Sequence, residues 1–103
     1  MQMHTKHRLE LFIERPAYRR AGRVLEEAGV TGYTVLPAMA GYGGAKRWKR
    51  GTDLSASSDL VVMVSIMDED LVEPCLEALA KVLGQFIGVV NVGRVEVMRD
   101  DLF

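Results

Sequence analysis

The chain has 103 residues, nearly half of them apolar, with 14 acidic against 13 basic side chains and a formal net charge of −1. That length holds one hydrophobic core, and the balanced charge excludes a dedicated nucleic-acid binder, whose phosphate affinity needs a broad basic field. Cys75 is alone, so no intrachain disulfide can form; no apolar run is long enough to span a bilayer and the first residues lack a signal peptide's apolar core, which together predict a cytoplasmic protein without membrane insertion.

Residues 6–14 alternate, with Leu9, Leu11 and Ile13 on one side and Arg8, Glu10 and Glu14 on the other, the pattern of a half-buried strand. Phe12 falls on the polar side, so that face is expected to be partly covered as well. Pro16 then opens a helix in which Ala17, Ala21, Val24, Leu25 and Ala28 recur at three and four residues, and Gly29 caps its end. Residues 32–40 read as a second strand in which Pro37 argues against an uninterrupted central position.

Residues 41–59, GYGGAKRWKRGTDLSASSD, break the pattern. Three glycines in four residues free the backbone to approach a ligand closely, and Lys46, Arg47, Lys49 and Arg50 around Trp48 repel one another unless an anion or solvent lies between them. A loop of this length is functional or disordered. The run LVVMVSIM at 60–67 follows, a strand expected to be buried on both faces, with Ser65 its one polar side chain.

Asp70 is the expected N-cap of a second helix, with Glu73 completing a capping box, Pro74 in the first turn, and Gly84 stopping an apolar stripe of Val72, Leu76, Leu79 and Leu83. Cys75 on this stripe reads as a small buried hydrophobe. Residues 89–99 form the last strand; its apolar parity changes between Val90, Val92 and Val95, Val97, which a bulge at Gly93 would reconcile.

The order βαββαβ is the α+β, ferredoxin-like arrangement: an antiparallel sheet with strands one and three central, both helices on one face, and residues 41–59 joining strands two and three at an edge. The uncovered face, carrying Phe12 with several valines and methionines, predicts association.

Sequence patterns for chemistry fail in instructive ways. The glycine segment lacks the Gly-Lys-Ser/Thr of a P-loop, Lys46 stands where the third glycine of a dinucleotide fingerprint belongs, and no helix follows. What remains is a flexible run of backbone amides near cations, which can hold an anion. His4 and His7 have no cysteine or carboxylate constellation around them, and Ser65 lacks a nucleophile elbow, so neither a metal site nor an enzyme is expected. The third strand carries no aromatic for base stacking, against an RNA-recognition motif.

Several segments together resemble the PII signal-transduction family, and more closely its PII-like relatives linked to carboxysomes and bicarbonate uptake. EEAGVTGYTV at 26–35 is similar to the segment leading into the family's second strand, and AGYGG at 40–44 to the opening of its T-loop. DEDLVEPCLEAL at 68–79 is similar to the start of its second helix, and FIGVVNVGRVEVM at 86–98 to its B-loop and fourth strand.

The resemblance implies a homotrimer, nucleotide in each of three clefts between subunits, and a flexible T-loop at 41–59 that reports occupancy. By matched position it places Thr34 beside the base, Gly41, Tyr42 and Gly43 near the phosphates, and Ser65 and Gly88 along the cleft, with Val89 beside Gly88. Gly44 and Ala45 replace the glutamine of the 2-oxoglutarate sensors, and Val89, Val90 and Asn91 stand where the B-loop's lysine pattern belongs. ADP or AMP is therefore expected over ATP, with cyclic AMP a further candidate.

Bicarbonate is the expected second ligand, held by Gly43, Lys46 and Arg47, while Trp48, Lys49 and Arg50 meet a partner such as a bicarbonate transporter or a carboxysome-related protein. The competing reading is a trimeric ferredoxin-like protein that binds metal or scaffolds an assembly without sensing nucleotide.

Overall fold

The computed structural model of the chain describes residues 1–43, 46–49, 59–99 and 101, with 46–49 described by their backbone alone. β1 (His4–Glu14) runs down the middle of the molecule. A 3-10 turn (Arg15–Ala17), with Pro16 in its first positions, leads into α1 (Tyr18–Glu27). β2 (Thr34–Pro37), β3 (Ala40–Gly43), β4 (Lys46–Lys49), β5 (Leu60–Met67), α2 (Glu69–Leu83) and β6 (Gly88–Val97) complete the order.

β2, β5, β1 and β6 pair antiparallel in that order, so β1 and β5 are the central strands as the βαββαβ reading requires. Pro37 ends an edge strand, where its missing N–H breaks no interior ladder. The core lies between this sheet and the two helices. Leu9, Leu11 and Ile13 of β1 and Val61, Met63 and Met67 of β5 are buried there, against Ala21 and Leu25 of α1 and Cys75, Leu79 and Val82 of α2.

α1 ends as its sequence dictates. Gly29 takes φ of 104°, the Gly29 N–H reaches the Glu26 carbonyl at 3.1 Å, and the Val30 N–H reaches the Leu25 carbonyl at 3.2 Å. These are the two bonds of a Schellman cap, which only a residue tolerant of positive φ closes without strain.

Five expectations need correction. β5 is not buried on both faces: its odd-numbered residues are buried and its even-numbered ones only half-buried, because both helices cover the same side. The bulge at Gly93 is absent, since the β1–β6 register runs unbroken from His4 opposite Val97 to Ile13 opposite Gly88. The parity change is real but has another cause: Val90 and Val92 share the helix-facing side with Leu11 and Leu9, whereas Val95 and Val97 sit on the open side.

The third and fourth corrections concern α2. Its N-cap is Asp68, not Asp70, and no side chain caps it. The Asp68 carboxylate is taken instead by the Lys6 ammonium at 2.6 Å, whose side chain is 9% exposed and needs a charged partner there. Pro74 therefore lies well inside the helix and not in its first turn, so the bond an N–H at that position would make to the Asp70 carbonyl is missing.

The fifth is the single strand expected over 32–40. The chain leaves the sheet after Pro37 and starts a separate two-stranded ribbon, with Ala40 opposite Lys49 and Gly43 opposite Lys46. Sequence missed the ribbon because glycines at 41 and 43 depress strand propensity, whereas backbone pairing does not need side chains.

Candidate functional site

The residue rows of the sheet decide where the sequence-derived site residues fall. Thr34, Val64, Glu10 and Asn91 form one row across all four strands, and Pro37, Val61, Ile13 and Gly88 form another three residues further on, about 10 Å away at the strand rise. Within either row the edge residues on β2 and β6 are separated by about 14 Å, three inter-strand spacings.

Thr34 and Ser65 are brought together. Both line a depression of about 320 Å³ at the β2 edge, with Thr31, Gly32 and Tyr33 around it. Ser65 is 2% exposed and its hydroxyl donates to the Gly32 carbonyl at 2.6 Å, so it fixes the strand entry that shapes the depression. Tyr33 stands beside it: its ring lies over Gly22 of α1, where an added Cβ would meet the phenol oxygen at 2.5 Å, and its hydroxyl donates to Glu26 at 2.6 Å. That bond, then burial, pushes the Tyr33 phenol above its ordinary value.

Gly41, Tyr42 and Gly43 lie in the ribbon strand β3, with Tyr42 71% exposed. Gly88 and Val89 begin β6 at the other edge. Gly88 has no room for a side chain: a Cβ would come 2.6 Å from Leu83 Cδ2 and 3.0 Å from the Phe12 carbonyl. Val89 is 63% exposed on the open face. Lys46, Arg47, Trp48 and Lys49 are placed by backbone in the second ribbon strand, and Arg50 lies outside the described residues.

Two residues not read as site residues connect these parts, and one of them, Glu14, set by alternation on the polar side of β1, is buried at the strand's end. Glu14, 9% exposed, accepts the Ile87 N–H at 2.8 Å and holds the segment before Gly88. Next to it, the Arg15 N–H reaches the Asp59 carbonyl at 2.8 Å and its guanidinium stands 3.5 Å from the Asp59 carboxylate. Both flanks of the site thus hang on one corner of the chain. The only sequence signal was a carboxylate ending an otherwise amphipathic strand.

Along the open face, Leu36, Val62, Phe12 and Val89 make one apolar row from edge to edge, with Leu36 49% and Phe12 38% exposed. Among the described residues no three His, Cys, Asp or Glu side chains converge as a metal site would need.

Comparison with known proteins places this geometry in context. A family model, DUF190, described as an uncharacterized ACR, matches residues 3–97. A UPF0166 protein of Aquifex aeolicus (strain VF5) is 33% identical over 89 residues, covering 86% of this chain and 83% of that protein. CPII of Thiomonas intermedia K12, a nitrogen regulatory PII-like protein solved with ADP, AMP and bicarbonate, superposes with a TM-score of 0.81 at 26% identity, over 95% of this chain and 92% of that one. A putative PII-like signaling protein of Thermus thermophilus superposes at 0.77 with 18% identity, over 94% and 93%, a likeness of fold.

Proposed function

The chain is a PII-like protein of the DUF190 family, and from that premise we propose that it is a non-enzymatic sensor whose clefts, formed between subunits of a homotrimer, bind ADP or AMP. The observation that carries this reading is the division of the matched residues. Thr34 lies on the edge strand β2 with Ser65 next to it on β5, whereas Gly88 and Val89 lie on the edge strand β6, too far from Thr34 for one small ligand to join them within a single protomer. A second copy seated on the apolar row of the open face would bring one protomer's base group beside another's glycine corner. Burying that row also removes exposed Leu36, Phe12 and Val89 from water.

The similarity to CPII, solved with ADP, AMP and bicarbonate, supports the ligand class. A mono- or diphosphate fits better than a triphosphate because no lysine follows Gly88. Bicarbonate is the second ligand in this reading, held by amides near Gly43 with Lys46 and Arg47. Residues 41–59 then act as a T-loop that changes order with occupancy and presents Trp48, Lys49 and Arg50 to a bicarbonate transporter or a carboxysome-related partner. Coupling requires that the anion bind one loop state better than the other.

Calorimetric titration with ADP, AMP, ATP and cyclic AMP, each with and without bicarbonate, tests the reading. ADP and AMP are expected to bind more tightly than ATP, and bicarbonate to change their affinity. Absence of heat with every nucleotide overturns the sensor, and a stable monomer by light scattering removes the clefts.

A further inference from the structure

The start of α1 carries charge of the wrong sign for a helix N-terminus. Arg15, Arg19 and Arg23 recur every four residues, Arg20 lies beside them, and the first turn of α1 contains no acidic residue. The N-terminal end of a helix carries a partial positive charge, so Arg19 and Arg20 in the first turn of α1 meet repulsion from the helix, and Arg15, Arg19 and Arg23 from their neighbours four residues away. Folding does not compensate this. Arg19 donates to the Tyr18 hydroxyl at 3.3 Å with its guanidinium 5.8 Å from that ring, Arg20 bonds the neutral Gln85 amide, and among the described residues Arg15 is the one arginine of the four within ion-pair distance of a carboxylate, Asp59. Among the described residues no carboxylate pairs with Arg19, Arg20 or Arg23.

The patch has shape as well as charge. Arg15, Pro16, Tyr18 and Arg19 line a depression of about 380 Å³. Arg19 and Arg23 are exposed and, four residues apart, about 6 Å from each other along the helix axis.

From these observations we propose that the exposed flank of α1 is a docking surface for an acidic helical segment of a partner protein, whose carboxylates, four residues apart, meet Arg19 and Arg23 while its end enters the depression beside Tyr18. The matching axial repeat of two helices pairs the charges in register. Glu26 and Glu27 close the stripe at the far end of α1, which limits it to a short segment and disfavours a nucleic-acid backbone or a flat anionic membrane, both of which would run on over those carboxylates.

The surface is tested with fluorescein-labelled helical peptides bearing glutamate at every fourth position, their glutamine counterparts, a short DNA duplex and phosphatidylserine vesicles, each titrated with the full chain at two salt concentrations. The glutamate peptide is expected to bind, more weakly at higher salt, and Arg19→Gln/Arg23→Gln to weaken it about tenfold. The same variant is expected to keep its ADP affinity and to melt no lower than the parent, since removing like charges relieves the helix; Arg19→Lys/Arg23→Lys is expected to retain most binding. Equal binding of the glutamine peptide, or an unchanged affinity in the glutamine variant, overturns the proposal. Binding of DNA or vesicles in preference to the peptide also overturns it. The ADP arm reads the nucleotide sensor separately, so failure of one leaves the other standing.

Discussion

Replacing Gly88 by alanine is the most direct probe of the corner that joins the sheet edge to the site. A Cβ at this position would lie 2.6 Å from Leu83 Cδ2, 3.0 Å from the Phe12 carbonyl oxygen and 3.3 Å from Ile13 Cγ1. The leucine methyl can turn aside, but the Phe12 carbonyl belongs to the central strand and is fixed by its ladder. The clash must therefore push β6 outward, and overpacking of this kind costs about 1–3 kcal/mol. With an unfolding entropy of about 2.1 cal/mol/K per residue, the chain melts with about 0.2 kcal/mol/K, so a loss of about 2 kcal/mol lowers Tm by about 9 °C. Gly22→Ala is the matched comparison: its Cβ meets the far end of the Tyr33 side chain, which can swing aside by lengthening its bond to Glu26 where a strand backbone cannot, and alanine's better helix propensity, worth about 1 kcal/mol, offsets part of the clash. Scanning calorimetry at fixed protein concentration, without ligand, measures both, the concentration being held because association shifts Tm. A Tm for Gly88→Ala within about 2 °C of the parent, or a larger loss for Gly22→Ala, would refute the argument that the glycine is demanded by close backbone packing.

Two further outcomes follow from buried groups. Glu14→Ala removes the acceptor for the Ile87 N–H and is expected to cost about 1.5 kcal/mol, the low end for a bond to a charged group because Ile87 itself is exposed; Glu14→Gln keeps an acceptor oxygen and should melt closer to the parent. Equal melting of the two variants would show that the bond does not hold the corner. Burial pushes the Cys75 thiol above its ordinary value, so it is expected to resist a disulfide reagent at neutral pH and to react once the chain is unfolded. Because the folded state holds that proton more tightly than the unfolded state, its contribution to stability is intact below the ordinary thiol range and is lost as pH rises through the raised value. The stability advantage of the parent over Cys75→Ala should therefore shrink at alkaline pH, and a constant difference would contradict the shift.

Local chemistry made much of this protein readable from its sequence. Alternation placed Leu9, Leu11 and Ile13 on the buried side of β1, Gly29 announced the end of α1 because its backbone must turn left-handed, and the run after residue 59 was clearly a strand. These outcomes depend on spacing and on single-residue conformational preference, both written in the order of residues. Where α2 begins was not so written: Asp68 and Asp70 are equally good N-cap residues locally, and the helix starts after Asp68, whose carboxylate goes to the ammonium of Lys6, sixty-two residues away in sequence, instead of capping the helix. The supposed bulge failed because a change of apolar parity does not require a break in register: with the β1–β6 ladder unbroken, Val90 and Val92 face the helices and Val95 and Val97 the open side, so apolar residues occupy both faces of one regular strand.

The same division runs through the site. Sequence by itself determined that residues 41–59 are a glycine and cation segment between the second and third strands of the βαββαβ order, because glycine and charge clusters are incompatible with a core wherever they fall. Only the tertiary structure decided that Thr34 and Ser65 share one depression, that Glu14 and Arg15 tether both flanks of the site, and that Gly88 stands at the opposite edge of the sheet. Those relations are set by strand order and register, which bring together residues from all parts of the chain, and no window of neighbouring residues contains them.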